Sequence, residues 1–298
     1  MVERIRDALG DGIGAFGLRD DAAVLPVPRQ GSLVVSVDSV VDGVHFDLTL
    51  CSPRDVGWKA LMGALSDLAA MGARPIGALV ALCVPSVPGQ GALALAVMEG
   101  VAEAATDSDC PVIGGDVSSA SQLVVAVTVI GVVESGQAVA RTGAMAGDVV
   151  MVTGPCGGSA AGLRQLRAGE SGGEAYRRPV ARLSEGTAAR LAGAHAMIDV
   201  SDGLALDLHR LADASGVGFI LSTIPVADGA TREEALGGGE DYELLMTFAP
   251  TDVAAFEQRC EATGLRPPLA IGDVLADPQA RLLNGDALDR KGWQHTLG

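Results

Sequence analysis

Short apolar runs rich in branched side chains alternate with longer segments whose apolar residues recur three and four positions apart, a pattern that predicts strands and helices in turn along the chain. In the first half, residues 33–37 read as a buried strand from which Asp38 emerges, 75–84 as a second buried strand, and 123–133 as a long strand crossing the centre of a sheet. Between them, Ser52-Pro53-Arg54-Asp55 has the form of a helix start: serine as cap, proline at the first helical position, and an acid three residues past the cap. That helix is expected to run to Gly72, with Val56, Ala60, Ala64, Leu65 and Leu68 as its core-facing stripe. An alanine-rich helix over 89–106 follows, then a short apolar run at 111–113 that ends in Gly114-Gly115-Asp116. A helix over 2–9 and a strand over 22–27 precede all of these.

Glycines around 135–136 and 143–147 mark a linker, and beyond it the alternation resumes. Strands are expected at 148–153, 196–198, 218–222 and 243–248, with a closing strand at 269–274; helices are expected at 159–166, 184–192, 204–214 and 251–263. The fold class is therefore α/β (α+β), in two domains, 1–137 and 138–298.

Composition narrows the function. A formal charge of −16, with Lys59 and Lys291 the only lysines, argues against a nucleic-acid surface, because such binding rests on cations that neutralise phosphates. No apolar run reaches the ~18 residues of a membrane helix, and the start MVERIRDALGDG lacks a signal peptide's apolar core, so a cytoplasmic protein is expected. The five cysteines lie far apart with no CxxC pair and read as small buried hydrophobes. Aromatic residues make up only 3%, which leaves a core of small side chains that a further interface would help, and a homodimer is expected.

The candidate chemistry lies in the acids. Asp20, Asp38, Asp67, Asp116 and Asp199 adjoin buried elements in both halves, and Asp67 falls in the last turn of its helix, where the dipole disfavours a carboxylate. Two carboxylates ~4 Å apart repel by about 4 kcal/mol at an effective dielectric of ~20, so acids that converge do so on cations. Magnesium suits such hard oxygen donors and could bridge them to a polyphosphate. Several positions carry two readings. Asp20-Asp21 is a solvated turn or a ligand pair; Gly114-Gly115-Asp116 is an ordinary loop or one that contacts a nucleotide; Asp202 is a helix cap or a ligand. Gly237-Gly238-Gly239-Glu240-Asp241 is a pocket wall or a charged loop, and Trp293 either plugs a core edge or stacks on a ligand. The GxGxxG match at Gly12, Gly14 and Gly17 is discounted because a helix precedes it and a strand follows; GPCGGSA lacks the Lys-Ser/Thr ending of a P-loop.

With these residues laid out, the sequence resembles the thiamine-monophosphate kinase family. That family belongs to an ATP-binding superfamily that also holds aminoimidazole ribonucleotide synthetase, selenophosphate synthetase and a hydrogenase maturation protein. The resemblance is carried by DDAAVL, SVDSVVDGVHF, VGWKALMGALSDLAAMGARP, IGGDVS, RTGAMAGD, IDVSDGL, GGGEDYELL and KGW, in this order over nearly the whole chain. It implies ATP-dependent phosphorylation of thiamine monophosphate to thiamine diphosphate, with ATP as co-substrate and several Mg²⁺ ions, and no phosphoenzyme. Asp20, Ser36, Asp38, Asp67, Asp116, Asp199 and Asp202 match its magnesium positions; Gly115, Asp116, Arg141 and Ser201 match nucleotide contacts; His45, Glu240 and Trp293 match the thiamine-phosphate pocket. Catalysis by positioning and charge neutralisation would fall to Asp38, Asp67, Asp116 and Arg141. The implied fold is an N-terminal sheet domain that forms the dimer barrel and a C-terminal α/β domain that completes the nucleotide and substrate cleft. Two departures stand out: Arg19 where a glycine usually precedes the paired aspartates, and Val37 where a threonine usually gives a metal-binding oxygen. Another ATP-dependent synthetase or kinase of the superfamily, or a non-catalytic nucleotide sensor, are the rival readings; the selenophosphate branch would want a reactive Cys in the 10–17 segment, which has none.

Overall fold

The computed structural model describes residues 31–294. The expected helix at 2–9, the glycine-rich segment, Arg19, Asp20 and the strand at 22–27 lie outside the described residues. The chain divides into two compact units, one running through Leu68 and resuming over Arg74–Gly136, the other made of Ala69–Ala73 and Gln137–Gly298.

The first unit holds a four-stranded sheet of β1 (Ser32–Val41), β2 (Arg74–Pro85), β3 (Val112–Ala120) and β4 (Val124–Val133), with helices α1 (Pro53–Ala70) and α2 (Gln90–Asp107). The order is β1-β4-β2-β3; β4 runs antiparallel to both neighbours, and β3 parallel to β2. The expected central strand at 123–133 is thus interior, as β4. The expected buried strand at 33–37 is different: among the described residues β1 is an edge strand, and Leu33, Val35 and Val37 on one of its faces are 48%, 59% and 67% exposed. Asp38 does not leave the strand but sits inside it, opposite Val127. Sheet order is the reason: among the described residues β1 has one neighbour, β4, and it carries its apolar residues on an exposed face.

Gly114-Gly115-Asp116 also differs from expectation, lying within β3 rather than in a loop. Its glycines admit the neighbouring strand: a Cβ at Gly115 would come 2.0 Å from the Val80 carbonyl oxygen. Helix α1 starts as expected. Ser52 N–H donates to the Asp55 carboxylate at 3.0 Å, and Asp55 N–H donates to Ser52 Oγ at 3.2 Å, a reciprocal cap. Its expected stripe is buried, and Leu61, Met62 and Lys59 are buried too, so burial extends well beyond the stripe while Arg54 in the first turn stays exposed.

The second unit contains β5 (Val149–Val152), α3 (Gly158–Arg167), α4 (Glu174–Arg177), α5 (Leu183–Leu191), β6 (Ala196–Asp199), α6 (Leu204–Ser215) and β7 (Gly218–Leu221). It continues with α7 (Arg232–Gly237), β8 (Leu244–Phe248), α8 (Val253–Ala262), β9 (Leu269–Leu275), β10 (Arg281–Leu283) and β11 (Asp286–Ala287). The seven strands lie in the order β11-β10-β7-β9-β5-β8-β6. Strand alternation sorts their side chains to two faces. Val150, Val152, Ile198 and Leu245 pack with Leu204, Leu208 and Leu211 of α6, whereas Met151, Met197, Leu244, Met246 and Phe248 pack with Ala188 and Ala189 of α5 and Phe256 of α8. Burial on both faces explains why β8 reads Leu-Leu-Met-Thr-Phe with no alternation. Four elements go beyond the expected set: the single turn α4, α7, and the hairpin of β10 and β11 that follows the strand expected to close the domain. None of the described helices is long and apolar enough to cross a membrane.

Candidate functional site

In the first unit, β1 and the last turns of α1 bring together residues distant in sequence. Ser36 Oγ donates to Asp67 Oδ2 at 2.5 Å. Asp38 shares the Ser36 face of β1 by strand alternation, and its carboxylate accepts from Ser39 N–H at 2.7 Å. The uninterrupted register of β1 on β4 turns the Val37 side chain to the opposite face, away from Ser36 and Asp38. Asp116, exposed on β3, accepts from Ser118 Oγ at 2.7 Å.

His45 lies in the turn after β1. Val41 N–H donates to His45 Nδ1 at 3.1 Å, which makes Nδ1 the acceptor and leaves the neutral ring's proton on Nε2. The buried Lys59 of α1 donates Nζ to the His45 carbonyl at 3.2 Å, fixing the turn from below. Lys59 was not among the expected site residues; a lysine inside an apolar stripe was the signal.

The second unit gathers its candidates on the loop after β6. Asp199 ends that strand and is buried. Next come two adjacent carbonyls with partners from far along the chain: Ser201 O accepts from Glu240 N–H at 2.7 Å, and Asp202 O accepts from Trp293 N–H at 2.9 Å. Lys291 O accepts from Leu206 N–H at 3.1 Å, so the tail is bound to the start of α6 on either side of Gly292. A Cβ at Gly292 would lie 2.6 Å from Leu206 Cβ. Trp293 itself is 52% exposed, which decides against a core plug.

Asp202 does not cap α6. Its carboxylate accepts from Arg210 Nη1 at 2.5 Å, and the capping role passes to the buried Asp207, whose Oδ2 accepts from the Asp202 and Gly203 amides at 3.0 Å each. Arg210 also donates to Asp207 Oδ1 at 2.7 Å. Burial raises the Asp207 carboxyl above its ordinary range, against the pull of the Asp202 amide and Arg210. Asp207 and Arg210 escaped the sequence reading, although their i, i+3 spacing on one helix was visible. Arg141 is exposed before β5, and its carbonyl accepts from Ser215 Oγ at 3.1 Å.

Among the described residues, no three His, Cys, Asp or Glu side chains come together as a metal-holding group. The donor set still fits magnesium. It is all oxygen, and Mg²⁺ keeps several waters and takes one or two carboxylates together with substrate phosphates rather than a full protein cage. Ser36 with Asp67, and Asp116 with Ser118, are pairs of that kind.

Residues 19–133 match AIR synthase related protein, N-terminal domain, and residues 145–283 match AIR synthase related protein, C-terminal domain. The two mixed sheets thus have the architecture of that class. Thiamine-monophosphate kinase of Bacillus subtilis is 38% identical over 94% of this chain and 93% of its own length, and that of Mycobacterium tuberculosis is 37% identical over 94% and 85%. The crystal structure of thiamine-monophosphate kinase from Stenotrophomonas maltophilia superposes with a TM-score of 0.84 at 35% identity, covering 96% of each chain. The structure of AaThiL complexed with AMPPCP and TMP superposes with a TM-score of 0.79 at 28% identity, covering 95% of this chain and 97% of that one. The chain belongs to the thiamine-monophosphate kinase family.

Proposed function

We propose that this chain transfers the γ-phosphoryl group of ATP to the phosphate of thiamine monophosphate, giving thiamine diphosphate and ADP. A phosphate oxygen of thiamine monophosphate forms the new bond to the γ-phosphorus as the bond to the ADP oxygen breaks, in line and without a phosphoenzyme. The attacking oxygen is already anionic, so no general base is needed. The observation that carries this reading is the pair of adjacent carbonyls, Ser201 O and Asp202 O, that hold the backbones of Glu240 and Trp293. Residues suited to a cationic thiazolium are thereby tied to the loop of Ser201 and Asp202 that follows Asp199, residues which suit the phosphate end of the reaction.

Each residue's role follows from its chemistry. The Trp293 face takes the thiazolium ring and Glu240 its positive charge. His45, with its proton on Nε2, donates toward the substrate phosphate. Arg141, which has no acidic partner among the described residues, braces an ATP phosphate, beside Gly115, Asp116 and Ser201 as nucleotide contacts. Asp20, Ser36, Asp38, Asp67, Asp116, Asp199 and Asp202 are the residues that would hold magnesium, with Asp202 exchanging its Arg210 partner to do so. Magnesium, when bound, neutralises the phosphate oxygens and aligns donor with acceptor.

Residues 1–137 act as the ATP- and magnesium-binding and dimerisation domain, and 138–298 as the domain that completes substrate recognition. The uncovered apolar face of β1, Leu33, Val35 and Val37, supports a homodimer. A cytoplasmic address is part of the same reading. An assay of ADP release with ATP and Mg²⁺, with and without thiamine monophosphate, tests the reading. Release that depends on thiamine monophosphate supports it; release with a different acceptor points to another superfamily reaction, and nucleotide binding without release to a sensor.

A further inference from the structure

The glycine-rich segment before β8 holds two left-handed backbone positions that are not glycine, Glu240 at φ 67° and Tyr242 at φ 51°. L-residues keep such a conformation only where the surroundings over-determine it. Part of the restraint is backbone pairing: Glu240 N–H donates to Ser201 O at 2.7 Å and Tyr242 N–H to Val200 O at 2.9 Å.

Asp241, between them, reaches a different element. Its Oδ2 accepts from Gly157 N–H at 2.5 Å and its Oδ1 from Ser159 N–H at 3.0 Å. These amides open α3, where the unpaired donors and the helix dipole favour a negative charge. The turn is shaped for the purpose, since Gly157 stands at φ 90° and a Cβ there would come 2.6 Å from the Ala235 amide nitrogen. GPCGGSA, which lacks the ending of a P-loop, thus has its helix N-terminus filled by a carboxylate of its own chain.

We propose that Asp241 is a positioning residue for thiamine-phosphate recognition: its carboxylate, seated on the Gly157 and Ser159 amides, locks the left-handed backbone that carries Glu240. This rests on the reading of Glu240 as a substrate contact. Burial, the largest cause, raises the Asp241 carboxyl to about 6, so the charge is kept where it does not favour folding.

Steady-state kinetics of Asp241→Asn, Asp241→Glu and Glu240→Gln test the proposal. Asp241→Asn keeps the shape and one acceptor oxygen but turns an NH2 donor toward one of the two N–H groups. Its KM for thiamine monophosphate is expected to rise about 10-fold, with the KM for ATP within about 2-fold of wild type. Whichever of the Gly157 and Ser159 amides faces the new NH2 group loses protection from hydrogen exchange. Asp241→Glu, which keeps the charge but overreaches, is expected to raise the same KM less; should the Asn variant fail to fold, this one decides. A lowered melting temperature with unchanged thiamine-monophosphate KM in the folded variants overturns the proposal, because a merely structural carboxylate behaves that way. Glu240→Gln separates the two readings. If it raises the KM while both Asp241 variants do not, positioning alone falls; if it leaves the KM unchanged, the substrate role of Glu240 falls and the proposal with it. In the Asp241→Asn/Glu240→Gln double variant the effects are expected to be less than additive, and full additivity contradicts the proposal.

Discussion

Trp293 donates its backbone N–H to the Asp202 carbonyl at 2.9 Å, one residue along from the Ser201 carbonyl that holds Glu240. A side chain five residues from the end of the chain is thereby tied to the loop after β6. Because Trp293 is half exposed, its truncation costs recognition rather than core packing. Trp293→Ala is expected to raise the KM for thiamine monophosphate about 2- to 30-fold, the range of a cation held over a tryptophan face. The KM for ATP and the melting temperature should stay nearly unchanged; a large drop in melting temperature with unaltered thiamine-monophosphate kinetics would sink the role.

The two faces of β1 make contrasting predictions about magnesium. Ser36 donates to Asp67, so Ser36→Ala removes an oxygen from a hard-donor pair and should raise the Mg²⁺ concentration for half-maximal rate several-fold, on the order of 5-fold. Val37 faces the other way, and Val37→Thr should leave that concentration unchanged despite the added hydroxyl. A marked fall in the Mg²⁺ requirement of Val37→Thr would mean that β1 is turned differently in the working enzyme.

The other face of β1 concerns assembly. Leu33, Val35 and Val37 form an apolar row on an edge strand, and a charge in its middle should be tolerated by the monomer and not by a second copy. Val35→Lys is expected to shift the sedimentation coefficient from dimer to monomer with the secondary structure intact. A variant that remains a dimer would place the interface elsewhere.

Much of this arrangement was legible in sequence, and what was not has identifiable causes. The reciprocal cap of Ser52 and Asp55 and the alternation that gives the second unit its two cores depend on local pattern, which one sequence carries. The edge position of β1 depends on sheet order, a long-range outcome that leaves no trace in Leu33-Val34-Val35 itself. Gly114-Gly115 read as a turn because glycine serves turns and close strand contacts alike, and only the Val80 carbonyl beside Gly115 tells them apart. Helix α7 is another matter. Thr231 and Glu234 form a reciprocal cap that the spacing announced. At the site, acids near apolar runs were visible; Arg210 lies only eight residues from Asp202, a local pairing the spacing allowed, whereas the Asp241 seat on α3 arises only when segments some eighty residues apart meet.

The Asp241 seat also sets a pH dependence. Its carboxyl is raised from 3.8 to about 6, first by burial and further by the Glu243 charge, against the Gly157 and Ser159 amides. An acid raised in the folded chain binds its proton more tightly there than when unfolded. Its contribution to stability is therefore fully present below pH 3.8 and lost as the pH climbs through about 6. Asp241→Asn cannot titrate, so the stability of wild type relative to this variant should fall by about 3 kcal/mol across that window and stay level above it. Denaturant melts at closely spaced pH values check this, and a constant difference would show the carboxyl is not raised.

The most direct test of phosphoryl transfer at the Ser36–Asp67 pair is to count products. Wild type and Asp67→Asn would be incubated with ATP, thiamine monophosphate and saturating Mg²⁺, and thiamine diphosphate and ADP quantified together by chromatography. The expected result is one thiamine diphosphate per ADP from wild type, and a rate lower by about 10²- to 10³-fold from a folded Asp67→Asn. ADP formed without thiamine diphosphate, or wild-type turnover in Asp67→Asn, would contradict the account.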